Sequence, residues 1–209
     1  MPGPGMEWIG EEEKQALLEV IEAGYLFRYG DPANPAFKAK VYQLEQEVAK
    51  LSKVPYAVAV NSGTSALLVA LGGLGIGPGD EVIVPGYTFI ASMSSIIYAR
   101  AIPILAEVDR SLNLDPQDVR KKITPRTKAI MAVHMLGNPA KLDELKTIAD
   151  EHNLLLIEDC AQAFGASYKG KPIGSIGHAG TFSFNVYKTI TAGDGGMVIT
   201  SNQEYYRRF

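Results

Sequence analysis

Short segments that are almost wholly apolar recur from residue 57 onward and alternate with stretches of helical pattern. The segments, dense in Val, Ile, Leu and Ala, are AVAV (57–60), EVIV (81–84), PILAEV (103–108), AIMAV (129–133), LLLIED (154–159), GTFSF (180–184) and GMVIT (196–200). Strands that are apolar on both sides belong to a sheet covered on both faces, and parallel strands need crossover helices between them. The sequence therefore predicts an α/β fold with a doubly wound, mostly parallel sheet and helices on both faces.

The stretches between these segments are expected to be helical, near residues 64–74, 88–99, 115–122 and 140–152. Before the first strand, residues 11–23 are rich in helix formers and stop at Gly24, which suits the left-handed position after a helix. Apolar residues at three- and four-residue spacing predict a second helix over 41–51. With 209 residues we expect one domain and an appendage, divided into an N-terminal arm and helix (1–24) and a large domain (25–209).

Charge and composition exclude several classes of partner. Lys and Arg number 20 against 23 Asp and Glu, a net charge of −3, so there is no basic excess to bind nucleic acid or an anionic membrane. The longest nearly apolar run, 66–77, is shorter than the roughly 18 residues that a membrane-spanning helix needs. The acidic N-terminus does not resemble a signal peptide, so we predict a cytoplasmic protein without nucleic-acid or membrane partners.

Cysteine and histidine are too sparse for a metal centre. The chain has one cysteine, Cys160, and three histidines in separate segments, His134, His152 and His178. This pattern offers neither a disulfide pair nor metal-ligand spacing, so no metal is expected. We predict that Cys160 is buried as a small apolar residue. His134 fits a core histidine at least as well as a site residue, so it is left out of the catalytic set.

Four segments with polar or special chemistry directly follow predicted strands. They are NSGTS (61–65), PGYTF (85–89), DCAQ (159–162) and SFNVYK (183–188). Ligands of parallel sheets bind outside the carboxyl ends of the strands, so one pocket can collect all four segments. The first segment combines a strand end, a turn and a helix start, which lets the backbone N–H groups near Gly63, Thr64 and Ser65 hold a phosphate. The same residues also fit an ordinary helix N-cap.

Asp159 and Lys188 are the two candidates for reactive chemistry. Asp159 ends an apolar strand, where a pocket would remove its carboxylate from water, and a buried charge needs a partner. A cation inside the sheet, a magnesium ion and a ligand all fit that role. Lys188 lies between aromatic residues and before a glycine-rich turn, where backbone can approach a ligand closely. Taken singly, Lys188 also fits a solvated surface lysine.

The combination is more specific. A phosphate cradle, an aromatic at Phe89, a strand-end aspartate and a lysine 29 residues later resemble the large domain of fold-type I pyridoxal-phosphate enzymes. More narrowly, NSGTSAL, PGYTFIAS, IEDCAQAFGA and FSFNVYKTITAGDGGMV resemble the DegT/DnrJ/StrS family of sugar aminotransferases, from about residue 24 to the last residue. The chain departs from the family in having Asp194 where members usually have Glu.

The resemblance implies a role for each matching residue. Lys188 would be the Schiff-base lysine that binds the cofactor aldehyde and moves a proton, and Asp159 would keep the pyridine nitrogen protonated. Phe89 would stack on the ring, and Gln162 would hydrogen bond near the phenolic oxygen. The phosphate would be held by Gly63, Thr64, Ser65 and Ser183.

The resemblance implies an aminotransferase that moves an amino group from glutamate or glutamine to a keto sugar nucleotide or related cyclitol. It also implies a homodimer, because the cofactor of fold-type I enzymes lies between two subunits. Family members continue into a small C-terminal domain that we expect to be absent here. The alternative is therefore a catalytically silent, truncated domain with a structural or regulatory role. Related sugar 3-dehydratases carry histidine at the position of Lys188, and the lysine argues against that activity.

Overall fold

The computed structural model describes residues 3–209, in which strands and helices alternate as the sequence predicts. The helices are α1 (Glu11–Ala23), α2 (Lys40–Leu51), α3 (Gly63–Gly73), α4 (Ile90–Tyr98), α5 (Pro116–Lys122), α6 (Leu142–Glu151) and α7 (Gln203–Tyr206), with 3-10 turns at Pro4–Trp8 and Met135–Gly137. The strands are β1 (Tyr56–Val60), β2 (Glu81–Pro85), β3 (Ile102–Ala106), β4 (Thr127–Val133), β5 (Leu155–Asp159), β6 (Ser167–Tyr168), β7 (Lys171–Pro172), β8 (Ala179–Ser183) and β9 (Gly196–Thr200).

Within residues 3–209, seven strands form one sheet in the order β1-β9-β8-β5-β4-β2-β3. Strands β3, β2, β4, β5 and β8 pair in parallel, whereas β9 runs antiparallel to both of its neighbours, β8 and β1. The predicted mostly parallel α/β sheet is confirmed. Strands β6 and β7 form a separate short hairpin, which the sequence pattern did not predict because two-residue strands leave no apolar run.

Successive strand residues alternate between two cores, one on each face of the sheet. Ile83 and Leu156 belong to the face covered by α2, α5 and α6, whereas Val82 and Ile157 belong to the face covered by α3 and α4. All four side chains are fully buried. This double burial explains why the strands are apolar throughout instead of alternating with polar residues.

The N-terminal helix forms as predicted but packs loosely. Gly24 follows α1 in the left-handed conformation, with φ of +66°. Within the part of the chain that is described, α1 contributes no buried residue, and the Leu17 and Ile21 side chains are 65% and 64% exposed. The predicted N-terminal arm starts at residue 1, and its first two residues lie outside the described part. Among residues 3–209, no helix combines the length and the apolar character needed to cross a bilayer.

The topology brings the predicted site segments to one edge of the sheet. β1 is antiparallel to β9, which is antiparallel to β8, so β1 and β8 run in the same direction. The carboxyl ends of β1, β2, β5 and β8 therefore meet at the same edge, where ligands of parallel sheets bind.

Candidate active site

A cavity of about 560 Å³ lies at this edge and is lined by all four segments. It includes seven of the predicted site residues: Gly63, Thr64, Phe89, Asp159, Gln162, Ser183 and Lys188. Residues that are up to 125 positions apart in the sequence thus line one cavity, as the strand-end rule predicts. Ser65 is the predicted residue that does not line this cavity.

Asp159 ends β5 and is buried at the floor of the cavity, with 5% of its surface exposed. Its Oδ2 accepts a hydrogen bond from Ser92 Oγ at 2.8 Å, and its Oδ1 accepts one from the Ala161 amide at 3.1 Å. Burial is the largest influence on this carboxyl and raises its pKa, against the lowering effect of the two hydrogen bonds. Among the described residues, no cation lies within ion-pairing distance, so the carboxylate can take a positively charged ligand group.

Ser92 is a site residue that sequence reasoning missed. It lies in α4, is buried, and its hydroxyl lies between Asp159 Oδ2 and Thr88 Oγ1, which is 2.9 Å away. Thr88 lines the cavity. The signal was present in the motif PGYTFIAS, because Thr88 and Ser92 are four residues apart and lie on one side of a helix start.

The N-terminus of α3 also lines the cavity. Ser62 is its N-cap, and the Ser62 hydroxyl accepts from the Ser65 amide at 3.1 Å and donates to Ser65 Oγ at 3.0 Å. Ser65 is therefore engaged in the cap, while Gly63 and Thr64 face the cavity together with Ser183. A Cβ on Gly63 would lie 2.7 Å from the Ser183 Cβ, so only glycine lets the two chains approach this closely.

Lys188 lies on the loop between β8 and β9 and faces the same cavity. The Lys188 amide donates to the Asn185 carbonyl at 2.9 Å, which makes a tight turn just before the lysine. In the described part of the chain, the side-chain amine has no hydrogen-bond or ion-pair partner, so no protein group occupies it.

The sequence profile of the DegT/DnrJ/EryC1/StrS aminotransferase family matches residues 7–209. The chain belongs to this family. It is 48% identical over 193 residues to GDP-perosamine synthase from Caulobacter vibrioides, which covers 92% of this chain and 50% of the relative. It is 46% identical over 164 residues to L-glutamine:2-deoxy-scyllo-inosose aminotransferase from Streptoalloteichus tenebrarius, covering 78% of this chain and 39% of the relative.

Solved structures of aminotransferases share the fold. The aminotransferase from Psychrobacter cryohalolentis superposes with a TM-score of 0.91 at 40% identity, covering 100% of this chain and 51% of that one. NtdA from Bacillus subtilis, solved with bound cofactor PMP, superposes with a TM-score of 0.85 at 30% identity, covering 95% of this chain and 43% of that one. The chain thus spans about half the length of the relatives it matches.

Within this aminotransferase family member, Phe89 and Gln162 differ in how firmly they are held. Phe89 precedes α4, and its side chain is 64% exposed at the mouth of the cavity. The Gln162 side chain is fixed on both sides, because Oε1 accepts from the Leu136 amide at 3.0 Å and Nε2 contacts Met135 Sδ at 3.4 Å. Asp194, the departure from the family pattern, lines the cavity as well.

Behind Asp159, on the other face of β5, Glu158 and His134 form a closed network. His134 Nδ1 accepts from the Ala140 amide at 3.1 Å, so the ring proton is on Nε2 and points to Glu158 Oε2 at 3.2 Å. The interpretation of His134 as a core histidine is confirmed. Cys160 is fully buried beside them, as predicted, and burial raises the pKa of its thiol well above the usual range.

Proposed function

We propose that this chain binds pyridoxal 5'-phosphate and contributes the reactive half of an aminotransferase. The amino group would pass from glutamate or glutamine to the keto group of a nucleotide-linked sugar or a related cyclitol. The observation that carries the proposal is the shared cavity, with buried Asp159 on its floor, the amine of Lys188 on one wall and the N-terminus of α3 at one end.

The residues present fit this cofactor. A pyridine nitrogen that carries a proton is the cation that the buried Asp159 carboxylate lacks. The amides of Gly63 and Thr64 lie at the positive end of a helix of 11 residues, where a phosphate is favoured. Gly196 contributes to the fit, because a Cβ there would lie 2.3 Å from the Ser62 carbonyl and would displace the cap.

When bound, pyridoxal phosphate supplies an aldehyde carbon that carries the amino group and a ring that accepts electrons. Asp159 would hold the proton on the ring nitrogen, which keeps the ring able to accept those electrons. Lys188 would bind the aldehyde and then, as a neutral amine, take the proton from the substrate carbon. A free lysine has a pKa of about 10.4 and is protonated at neutral pH. The Lys188 amine would therefore be neutral only when the cofactor is bound beside it.

The relatives support the substrate class. One is named as a GDP-perosamine synthase and another as an aminotransferase that uses L-glutamine and 2-deoxy-scyllo-inosose. The first is named for an amino sugar linked to a nucleotide, and the second for a cyclitol ketone. We extend these two acceptor classes, and glutamine as donor, to the present chain.

A homodimer is part of the proposal. Four aromatic residues in two loops are each at least half exposed: Phe27 and Tyr29 between α1 and α2, and Tyr87 and Phe89 between β2 and α4. Exposed apolar surface of this kind marks an interaction site, and a second copy would cover Phe89 and narrow the cavity. Sedimentation that gives a monomer at all concentrations would contradict this part.

The test begins with cofactor capture. Pyridoxal phosphate added to the protein should give an absorbance band at roughly 390–430 nm. Borohydride should shift this band and make the covalent link between cofactor and protein permanent. Peptide mass analysis should locate the label on Lys188. A panel of keto sugar nucleotides and cyclitol ketones, each with glutamate or glutamine, then identifies the acceptor. A chain that captures the cofactor at no lysine supports the alternative of a silent domain.

A further inference from the structure

The N-terminal segment lies along the loop that carries Lys188. The Gly3 amide donates to the Val186 carbonyl at 2.8 Å, and the Gly5 amide donates to the Lys188 carbonyl at 3.1 Å. The two hydrogen bonds bracket Tyr187, the residue directly before the lysine. We call the segment from Gly3 to Trp8 the strap.

Space requires glycine at position 3 and leaves little room for a larger residue at position 5. A Cβ on Gly3 would lie 2.3 Å from the carbonyl carbon of Tyr187, and one on Gly5 would lie 3.0 Å from the Lys188 carbonyl oxygen. Gly5 is buried, and the φ of Gly3 is −76°, which any residue can adopt. Glycine therefore serves here to let the two backbones approach, as it does wherever a chain packs directly on another chain.

The lysine-bearing loop has few other attachments. Its base is closed by bonds from the Phe184 amide to Gly195 and from the Val186 amide to Gly193. Among residues 3–209, the backbone hydrogen bonds that reach 186–190 from outside the loop come from Gly3 and Gly5 alone. The strap thus supplies the backbone hydrogen bonds that hold the Lys188 segment from outside its own loop.

We propose that Gly3 and Gly5 are positioning residues, and that the strap fixes the Lys188 backbone so that its amine points into the cavity. The inference rests on the proposed function for the chemistry of Lys188. Both glycines precede residue 7, where the family match begins, so the match does not assign them a role. Pro4, between them, lines a neighbouring cavity together with Tyr187 and Lys188, which makes the strap part of the wall beside the lysine.

The experiment compares the parent chain with Gly3→Val, Gly5→Val and a chain that lacks residues 1–8. Gly10→Val is the matched control, because the atom nearest to a Cβ there is 3.9 Å away and belongs to a flexible side chain. The first readout is amide hydrogen exchange of peptide 184–195 without cofactor. We expect exchange about tenfold faster in the three strap variants, unchanged in the control, with the melting temperature of the core preserved.

The second readout is the rate of borohydride-trapped labelling of Lys188 by pyridoxal phosphate, which should fall by about tenfold in the same three variants. Unchanged exchange of peptide 184–195 would overturn the strap itself. Faster exchange with unchanged labelling would overturn the positioning role. Faster exchange in the variants without any labelling of the parent chain would overturn the proposed function and, with it, the role assigned to the glycines.

Discussion

Glu158 and Asp159 are consecutive residues at the end of the same strand, and both are buried, yet their surroundings differ. Glu158 accepts hydrogen bonds from the amides of Gly174, Ile176 and Gly177 at 2.6–2.8 Å and lies 3.2 Å from the ring nitrogen of His134. Asp159 accepts two hydrogen bonds and faces the cavity. Strand geometry alone separates them, because successive side chains point to opposite faces.

The difference shows how one strand end can carry a structural carboxylate and a functional one. Four donors satisfy Glu158 within the protein, so it ties the loop at 174–177 to the sheet. Two donors leave Asp159 incompletely compensated for its burial, which is why its pKa is raised. A buried carboxylate in that condition stabilises whatever cation enters the cavity.

The largest expected effect concerns the Lys188 amine, which lines the same cavity as Asp159. Lys188→Ala should abolish covalent capture of pyridoxal phosphate and lower turnover by roughly 10²–10⁴-fold, the usual contribution of a positioned proton-transfer group. Lys128→Ala, at an exposed lysine of β4, is the control and should capture the cofactor normally. A borohydride-fixed label that persists in the Lys188 variant would show that another lysine reacts.

Asp159→Asn keeps the size of the side chain and removes its charge. The cofactor should still bind, while amino transfer falls by about 10²–10³-fold because the ring nitrogen loses the group that holds its proton. In the cofactor-free chain the free energy of unfolding at pH 7 should not fall. Near-normal turnover would make Asp159 a structural residue like Glu158.

Burial of Asp159 also predicts how the stability of the cofactor-free chain depends on pH. Since burial raises the folded-state pKa of Asp159 above 3.8, the cofactor-free chain should lose stability from this group as pH rises through that pKa. The asparagine variant should lack this component. Denaturant titrations of both chains between pH 4 and 7 measure the difference, and identical pH profiles would argue that the carboxyl is not destabilised by burial.

Glu158→Gln should act on stability instead. The new amide group would face an N–H donor, so at least one of the four partners loses its acceptor while buried, at a cost of about 2–4 kcal/mol in the free energy of unfolding. Denaturant unfolding without cofactor measures it. A loss below about 0.5 kcal/mol would mean that the network rearranges around glutamine.

The smallest effect is expected at an exposed carboxylate, Asp143. The Lys169 amine and the Tyr168 hydroxyl lower its pKa from 3.8 to about 2. Its contribution should therefore be present above pH 4 and lost as pH falls towards 2. Because the Asp143 side chain is 49% exposed, solvent screening limits the effect of Asp143→Asn to less than about 1 kcal/mol at pH 7. A larger loss would show that exposure is a poor guide to the strength of this pair.

The sequence could predict the sheet and most of the cavity because both follow from local patterns. Apolar runs mark buried strands, and the residues after those runs must meet at one edge, which is how Asp159, Lys188 and Gly63 were found. Contacts that depend on side-chain direction were out of reach. The pairing of Ser92 with Asp159 spans 67 positions, and the choice between the N-cap and a phosphate for the Ser65 amide, which the sequence left open, depends on rotamers. Helix α7 was missed because four residues carry too little periodicity.

The position of β9 sets the order in which the nascent protein can complete its site. Among the described strands, β1 has β9 as its only neighbour, and Tyr56 pairs with Thr200, 144 residues further along. At roughly 5–20 residues per second, a ribosome takes about 7–30 seconds to make the missing partner. Until then the helix that begins at Gly63, which also contacts α4 and β8, lacks its contacts with β9. The phosphate end of the cavity and the lysine loop, which directly precedes β9, are therefore completed together, once β9 has been made.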